Sequence, residues 1–141
     1  MILDDIATYI AAQSTAFSVF SGTTGNLGKA LMLDKVHLGT MTSLYETAGF
    51  PNLYAFSTTN KAARVAELPR IQALSRSTSY QTARNNIDVI YQLLDGFSGP
   101  LPTSTGTEYL SIEAVQPPFS AGRDENDRWI LSVNFDTWRA A

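Results

Sequence analysis

The chain has 141 residues, of which 44% are apolar and 16% charged, so it can form one domain with a core but has a sparsely charged surface. Its net charge of −3 and the absence of any run of three basic residues argue against a surface for binding nucleic acid. The lack of cysteine excludes disulfides and thiolate metal sites. We expect a single soluble domain over residues 1–141 without a membrane span, and the weak charge favours self-association.

The first part of the sequence predicts one helix followed by two strands. Ile2–Gln13 has apolar residues at helical spacing and two acidic residues in its first turn, where the helix dipole favours them. After a connection of small residues, strands are predicted over Leu27–Leu33 and Thr42–Thr47. The second strand is expected to end at the turn signal Ala48–Pro51. Asn52–Ala63 has no clean period and is expected to be a long loop with a functional role.

The middle of the chain contains a third strand and the clearest helix of the sequence. Pro69–Arg76 is a predicted strand. Ser79–Leu94 has an apolar stripe at helical period, and Thr78 with Gln81 has the spacing of a capping box. Gly96 follows the helix and can take the left-handed conformation that ends it.

The last part of the chain predicts two strands around a turn-forming run. Glu108–Val115 and Trp129–Trp138 alternate apolar and polar residues, as strands with one buried face do. A Gly, Pro, Ser and Thr loop is expected over Ser98–Thr107, and the run Gln116–Arg128 joins the final strands. The order of elements indicates an α+β fold, a mostly antiparallel sheet of about five strands with two helices packed on one face.

Templates for enzyme sites fail on spacing. The glycines of Gly22–Ala30 are one residue too far apart for a phosphate-binding loop, and alanine follows the lysine in place of Ser or Thr. His37 is the chain's sole histidine and lies in a predicted turn, without companions for a zinc or serine-hydrolase site. Glu108 and Glu113 are five positions apart, and such an odd offset places them on opposite faces of one predicted strand. We therefore predict no catalytic, cofactor or metal site.

The acidic cluster in the final turn has two interpretations. Residues 124–127 carry three acids and an asparagine, but a calcium loop that began at Asp124 would need glycine at the sixth position, where Trp129 stands. Asp and Asn are also frequent in turns because they bond to their own backbone. We therefore interpret the cluster as a structural turn, with Arg123 and Arg128 pairing with the acids internally or across a subunit contact.

Several short motifs occur in an order that resembles a known family. Leu3–Ala7 and Leu44–Pro51 precede a "P-x-I-Q" strand at Pro69–Arg76, which leads into an "S-Y-x-x-A" helix start at Ser79–Ala83. A "P-F-x-x-G-R-D-E-N" turn follows within Pro118–Arg128. This order is similar to the minor capsid proteins of tailed bacteriophages, which resemble tail terminators in layout. The aspartate at position 127 stands where that family usually has glycine.

The resemblance implies a structural virion protein in the tail or neck, and no enzyme. It implies a homo-oligomeric ring, usually a hexamer, that ends tail-tube polymerisation and binds the major tail tube protein and a head-completion or stopper protein. DNA would pass through the lumen without specific binding. The loops Asn52–Ala63 and Ser98–Thr107 and the tip Arg123–Arg128 are then expected to form contacts. The side chains we predict at subunit or partner interfaces are Tyr54, Phe56, Arg76, Arg84, Arg123, Asp124 and Arg128.

Two alternatives remain open at the level of sequence. A stopper or adaptor in the phage neck would have the same structural character, because fold does not decide which neighbours a ring contacts. A small-molecule-binding or enzymatic α+β domain would need a pocket with convergent polar groups, and the sequence offers no candidates for one.

Overall fold

The computed structural model describes residues 2–20, 25–29, 40–55, 63–103, 105–124 and 127–140, with the backbone alone at 52–55 and 63–65. Within these ranges it has two helices and one sheet of seven strands, which confirms the α+β class but exceeds the expected five strands. None of the described helices has the length and apolar character to cross a membrane. The elements are α1 (Ile2–Gln13), β1 (Leu27–Lys29), β2 (Met41–Ala55), β3 (Ala63–Ser77), α2 (Tyr80–Leu94), β4 (Phe97–Leu101), β5 (Thr107–Ala114), β6 (Phe119–Arg123) and β7 (Trp129–Ala140).

The sheet is organised around its last strand. The strand order is β1-β2-β3-β7-β5-β4, and β6 also pairs with β7. The β1–β2 pair is parallel and the other pairs are antiparallel. One edge of β7 pairs with β3 along most of its length, while the other edge pairs first with β6 and then with β5. Every element after α2 is therefore placed by its relation to β7.

The core lies between the two helices and one face of the sheet. The apolar stripe of α1 is fully buried at Ile6 and Ile10, and that of α2 at Ile87 and Ile90. They join one cluster with inward-facing strand residues such as Phe135. Both predicted helices and their buried faces are thus confirmed.

The cap of α2 differs from the prediction at its start and agrees with it at its end. The Thr78–Gln81 capping box is wrong. Ser79 is the N-cap, and its hydroxyl accepts a hydrogen bond from the backbone N–H of Thr82 at 3.4 Å. At the other end, Gly96 has a φ of +81°, the left-handed conformation that was expected there.

The predicted turn at Ala48–Pro51 is wrong, because β2 runs straight through it. The pairing of β2 with β3 shifts register between Thr47 and Phe50, so the turn-forming residues occupy an irregular stretch of a long strand. Gly49 is required there because a Cβ atom would lie 2.2 Å from the Leu68 carbonyl oxygen. The expected loop Asn52–Ala63 is wrong at both ends, because β2 continues to Ala55 and β3 begins at Ala63. Residues 56–62 lie outside the described part of the chain.

Two later segments expected to be loops also contain strands. The region Ser98–Thr107 begins with most of β4, and the run Gln116–Arg128 contains β6. The side chains of β6 are all exposed, so its sequence lacks the apolar alternation by which a strand is recognised. Its position is fixed by backbone pairing with β7.

The alternation rule also fails on β5. The pairing with β7 shifts register between Tyr109 and Ser111, and Tyr109 and Ile112 are both buried despite their odd separation. Glu108 and Glu113 are consequently both exposed, which corrects their predicted placement on opposite faces.

Part of the first predicted strand pair lies outside the described residues. Of Leu27–Leu33, the strand is seen at Leu27–Lys29. The remainder, together with the predicted connection at 34–39 and His37 within it, is not described.

Helix α1 is fixed to the sheet by two polar contacts. The Lys29 ammonium group on β1 donates to Asp4 Oδ1 at 2.5 Å, and this hydrogen bond lowers the pKa of the Asp4 carboxyl. The Tyr109 hydroxyl on β5 donates to Asp5 Oδ2 at 3.0 Å. Burial of Tyr109, and then the charge of Asp5, raise the pKa of its hydroxyl above the ordinary value of 10.0.

The raised pKa of Tyr109 predicts alkaline sensitivity. Above about pH 10 the unfolded chain releases this proton while the folded chain keeps it, so stability is present below that pH and is lost as the pH rises. Between about pH 9 and about pH 11, we expect the wild type to lose roughly 1 kcal/mol more unfolding free energy than Tyr109→Phe. Urea titrations at each pH measure this difference.

The exposed Tyr80 provides the matched control. Tyr80→Phe should retain the alkaline loss of the wild type. An equal loss in Tyr109→Phe and the wild type would contradict the assignment.

Candidate subunit interface

The described residues of the tip between β6 and β7 are held together by backbone hydrogen bonds to Asp124. The backbone N–H of Asp124 donates to the carbonyl of Arg128 at 2.9 Å, and that of Asp127 donates to the carbonyl of Asp124 at 3.2 Å. Asp127 has a φ of +57°, in the left-handed region that aspartate tolerates better than most residues. The family that the chain resembles usually has glycine at this position, and Asp127 takes the backbone conformation that glycine would favour.

The Asp124 carboxylate holds Arg128 inside the protein. The Arg128 Nε donates to Asp124 Oδ2 at 2.7 Å, and its backbone N–H donates to Asp124 Oδ1 at 2.9 Å. The Arg128 side chain is 0% exposed and that of Asp124 is 12% exposed. From β3, Arg76 Nη1 lies 3.6 Å from the same carboxylate. A buried guanidinium requires such a partner, so the tip is anchored to the sheet by charge as well as by backbone.

Arg123 points outward and stacks on an aromatic pair. Its guanidinium carbon is 4.3 Å from the centroid of the Trp129 ring, and Trp129 packs edge-on against Tyr80 at 5.3 Å. We call these three residues the Trp129 cluster. Arg123 is 51% exposed, and its ion pair with Asp127 is long at 3.9 Å, with the Asp127 side chain 89% exposed. Such a pair contributes little, so the Arg123 charge faces solvent.

Arg84 lies apart from the tip, on the polar face of α2. Its Nη1 donates to the Pro118 carbonyl at 3.1 Å, and its Nε is 3.4 Å from Asp88 Oδ2. Arg84 thereby ties α2 to the segment that leads into β6. The backbone of Tyr54 lies in β2, while Phe56 lies outside the described residues.

The structure thus gathers four of the seven predicted interface residues at one place. Arg76, Asp124 and Arg128 form an internal cluster, and Arg123 projects from the same turn. Sequence reasoning missed Trp129, which stands beside the tip and was assigned only to a strand. Within the described residues, no three His, Asp or Glu side chains group as a metal ion would require.

The buried pair predicts a stability difference between the two aspartates of the tip. Asp124→Asn removes the negative charge that lies 2.7 Å from the buried Arg128 guanidinium, and we expect a loss of roughly 2–4 kcal/mol in unfolding free energy. Asp127→Asn makes the same chemical change at an exposed position that tolerates the left-handed backbone, and should stay within about 0.5 kcal/mol of the wild type. Urea denaturation measures both, and equal effects would show that Asp124 is no anchor.

A family model described as "Bacteriophage tail terminator protein" matches residues 44–138, which run from β2 into β7. No curated protein matches the sequence. The fold is similar to a chain in a solved structure described as "Virion of native gene transfer agent (GTA) particle", with a TM-score of 0.57 and 14% identity, over 98% of this chain and 96% of that one.

Proposed function

The chain belongs to the bacteriophage tail terminator protein family, and on that premise we propose that it forms a ring at the head-proximal end of a phage tail tube. Membership of this family makes it a structural protein of the virion tail and not an enzyme. In the proposed role, the ring is a hexamer of one domain per subunit. It ends polymerisation of the tube and joins the tail to the head and neck.

The observation that carries the proposal is the extent of the family match. Residues 44–138 include nearly all of the central sheet, helix α2 and the tip between β6 and β7. The net charge of −3 also suits a channel through which DNA slides, because a basic lumen would hold the phosphates. The proposed partners are a second copy of the chain, the major tail tube protein and a head-completion or stopper protein.

The seven predicted interface residues enter this proposal in two roles. Arg123 is the side chain of the tip that we propose makes contact, since it is half exposed. Arg76, Asp124 and Arg128 have internal partners and are proposed to hold the tip in shape for that contact. Tyr54, Phe56 and Arg84 remain proposed contacts of the ring or of the tube.

The proposal is tested by the mass of the purified protein, alone and with isolated tail tubes. Light scattering should give a closed oligomer in at least one condition, and electron microscopy should place it at tube ends and not along their sides. A protein that stays monomeric in both conditions and leaves tube ends bare would overturn the proposal.

Arg123→Ala should raise the protein concentration needed for half-assembly by about tenfold or more, because truncation of an interface arginine weakens the contact. The melting temperature of the subunit should stay unchanged. Glu46→Ala truncates an exposed charged side chain on β2, away from the tip, and is the control. Unchanged assembly of Arg123→Ala would remove Arg123 from the interface without affecting the ring itself.

A further inference from the structure

An exposed tryptophan, Trp138, lies at the opposite end of β7 from the Trp129 cluster. Trp138 is 41% exposed and follows Asp136 by two residues, so both side chains share a face of the sheet. On the neighbouring strand β5, Glu113 is directly opposite Asp136, and Ser111 is opposite Trp138. We call Glu113, Asp136 and Trp138 the Trp138 patch.

The Trp138 patch carries an unbalanced negative charge. Asp136 is paired with Arg70, whose Nε lies 2.7 Å from Asp136 Oδ1. Glu113 is exposed, and among the described residues no base lies within ion-pair distance of it. The patch therefore has two carboxylates across one strand pair and a single arginine beside them. Like charges directly opposite on a sheet repel, so a positive group from outside would be favourable here.

The Trp129 cluster has the complementary character. It offers the exposed Arg123 guanidinium over an indole ring, next to the first turn of α2. No acidic residue stands in that first turn, so the positive end of the helix dipole is not compensated there. Asp127 is a carboxylate near Arg123, but its contact is long and solvated.

The positions of the two surfaces on β7 suit a contact between unlike ends. Trp129 and Trp138 are nine residues apart on one strand, which corresponds to about 30 Å. The odd separation places them on opposite faces, with Trp129 on the side of α2. A contact between two different surfaces of identical subunits is heterologous and generates a ring when its rotation closes.

We infer that the Trp138 patch receives the Trp129 cluster of an adjacent copy of this chain, with Arg123 of one subunit placed between the carboxylates of the other. This inference rests on the proposed ring and assigns the surfaces that would build it. Tryptophan and arginine are the residue types that most often dominate interface energy. A symmetric contact of the Trp138 patch with itself is disfavoured, because it would bring the unbalanced carboxylates together.

Cysteine cross-linking tests the inference cleanly because the chain has no cysteine of its own. Arg123 is opposite Trp129 and Glu113 is opposite Asp136, so the two positions of one chain are about 23 Å apart, too far for a disulfide. The double variant Arg123→Cys with Glu113→Cys lacks both charges, so it is oxidised at a protein concentration, with or without tail tubes, at which light scattering shows that it assembles. There it should give a ladder of covalent oligomers. Each single variant should give no ladder.

Glu46 supplies the matched control, as an exposed carboxylate on β2, with β3 between that strand and β7. Arg123→Cys with Glu46→Cys should not produce the ladder. Dimers from Arg123→Cys alone would indicate a symmetric contact and overturn the inference. Rings that form normally but resist cross-linking in the double variant would also overturn it and leave the proposed function standing. If the wild type forms no ring in any condition, the proposed function fails and the inference with it.

Charge reversal gives a second, independent measurement. Arg123→Glu and Glu113→Arg should each raise the concentration for half-assembly by about tenfold or more, because each places like charges together. The two changes combined should recover much of the wild-type assembly. Additive losses in the combined variant would contradict direct pairing of the two positions.

Discussion

The backbone ladder between β3 and β7 is the constraint on which the rest of the structure depends. It is one of the two longest antiparallel pairings of the sheet, and β3 takes part in both, because its other edge pairs with β2. Because β7 is longer than either neighbour on its second edge, β6 and β5 can share that edge end to end. This sharing places the tip at one end of β7 and the Trp138 patch at the other. The two proposed contact surfaces are therefore a consequence of strand length.

The sequence was sufficient to predict the elements whose pattern is local. Both helices and the strands around Pro69–Arg76 and Trp129–Trp138 appear where their periodicity placed them, because each buries a continuous apolar stripe. The turn signal at Gly49 failed because the pairing of β2 with β3 is non-local and absorbs it as a register shift. The exposed strand β6 could not be recognised for a related reason, since backbone pairing alone defines it.

The candidate interface was predictable in composition but not in arrangement. The run of charges at 123–128 identified the tip, yet whether its arginines pair internally depends on Arg76, which is distant in sequence and close in space. Burial separates Arg128 from Arg123, although both flank the same acids. Spacing along a chain carries no information about that difference, because it arises from the packing of β3 beside the tip.

The low charge of the chain gives its few unbalanced charges more influence over association. Many of the described basic side chains are neutralised within the subunit, as Lys29 is by Asp4 and Arg70 is by Asp136. Internal pairs of this kind offer little to a partner, because they would have to be broken to form a new contact. In a chain with only 16% charged residues, the charges that are left without an internal partner then decide which partner is favoured. Arg123 and Glu113 are such groups, and both lie beside exposed aromatic or apolar area that a contact would remove from water.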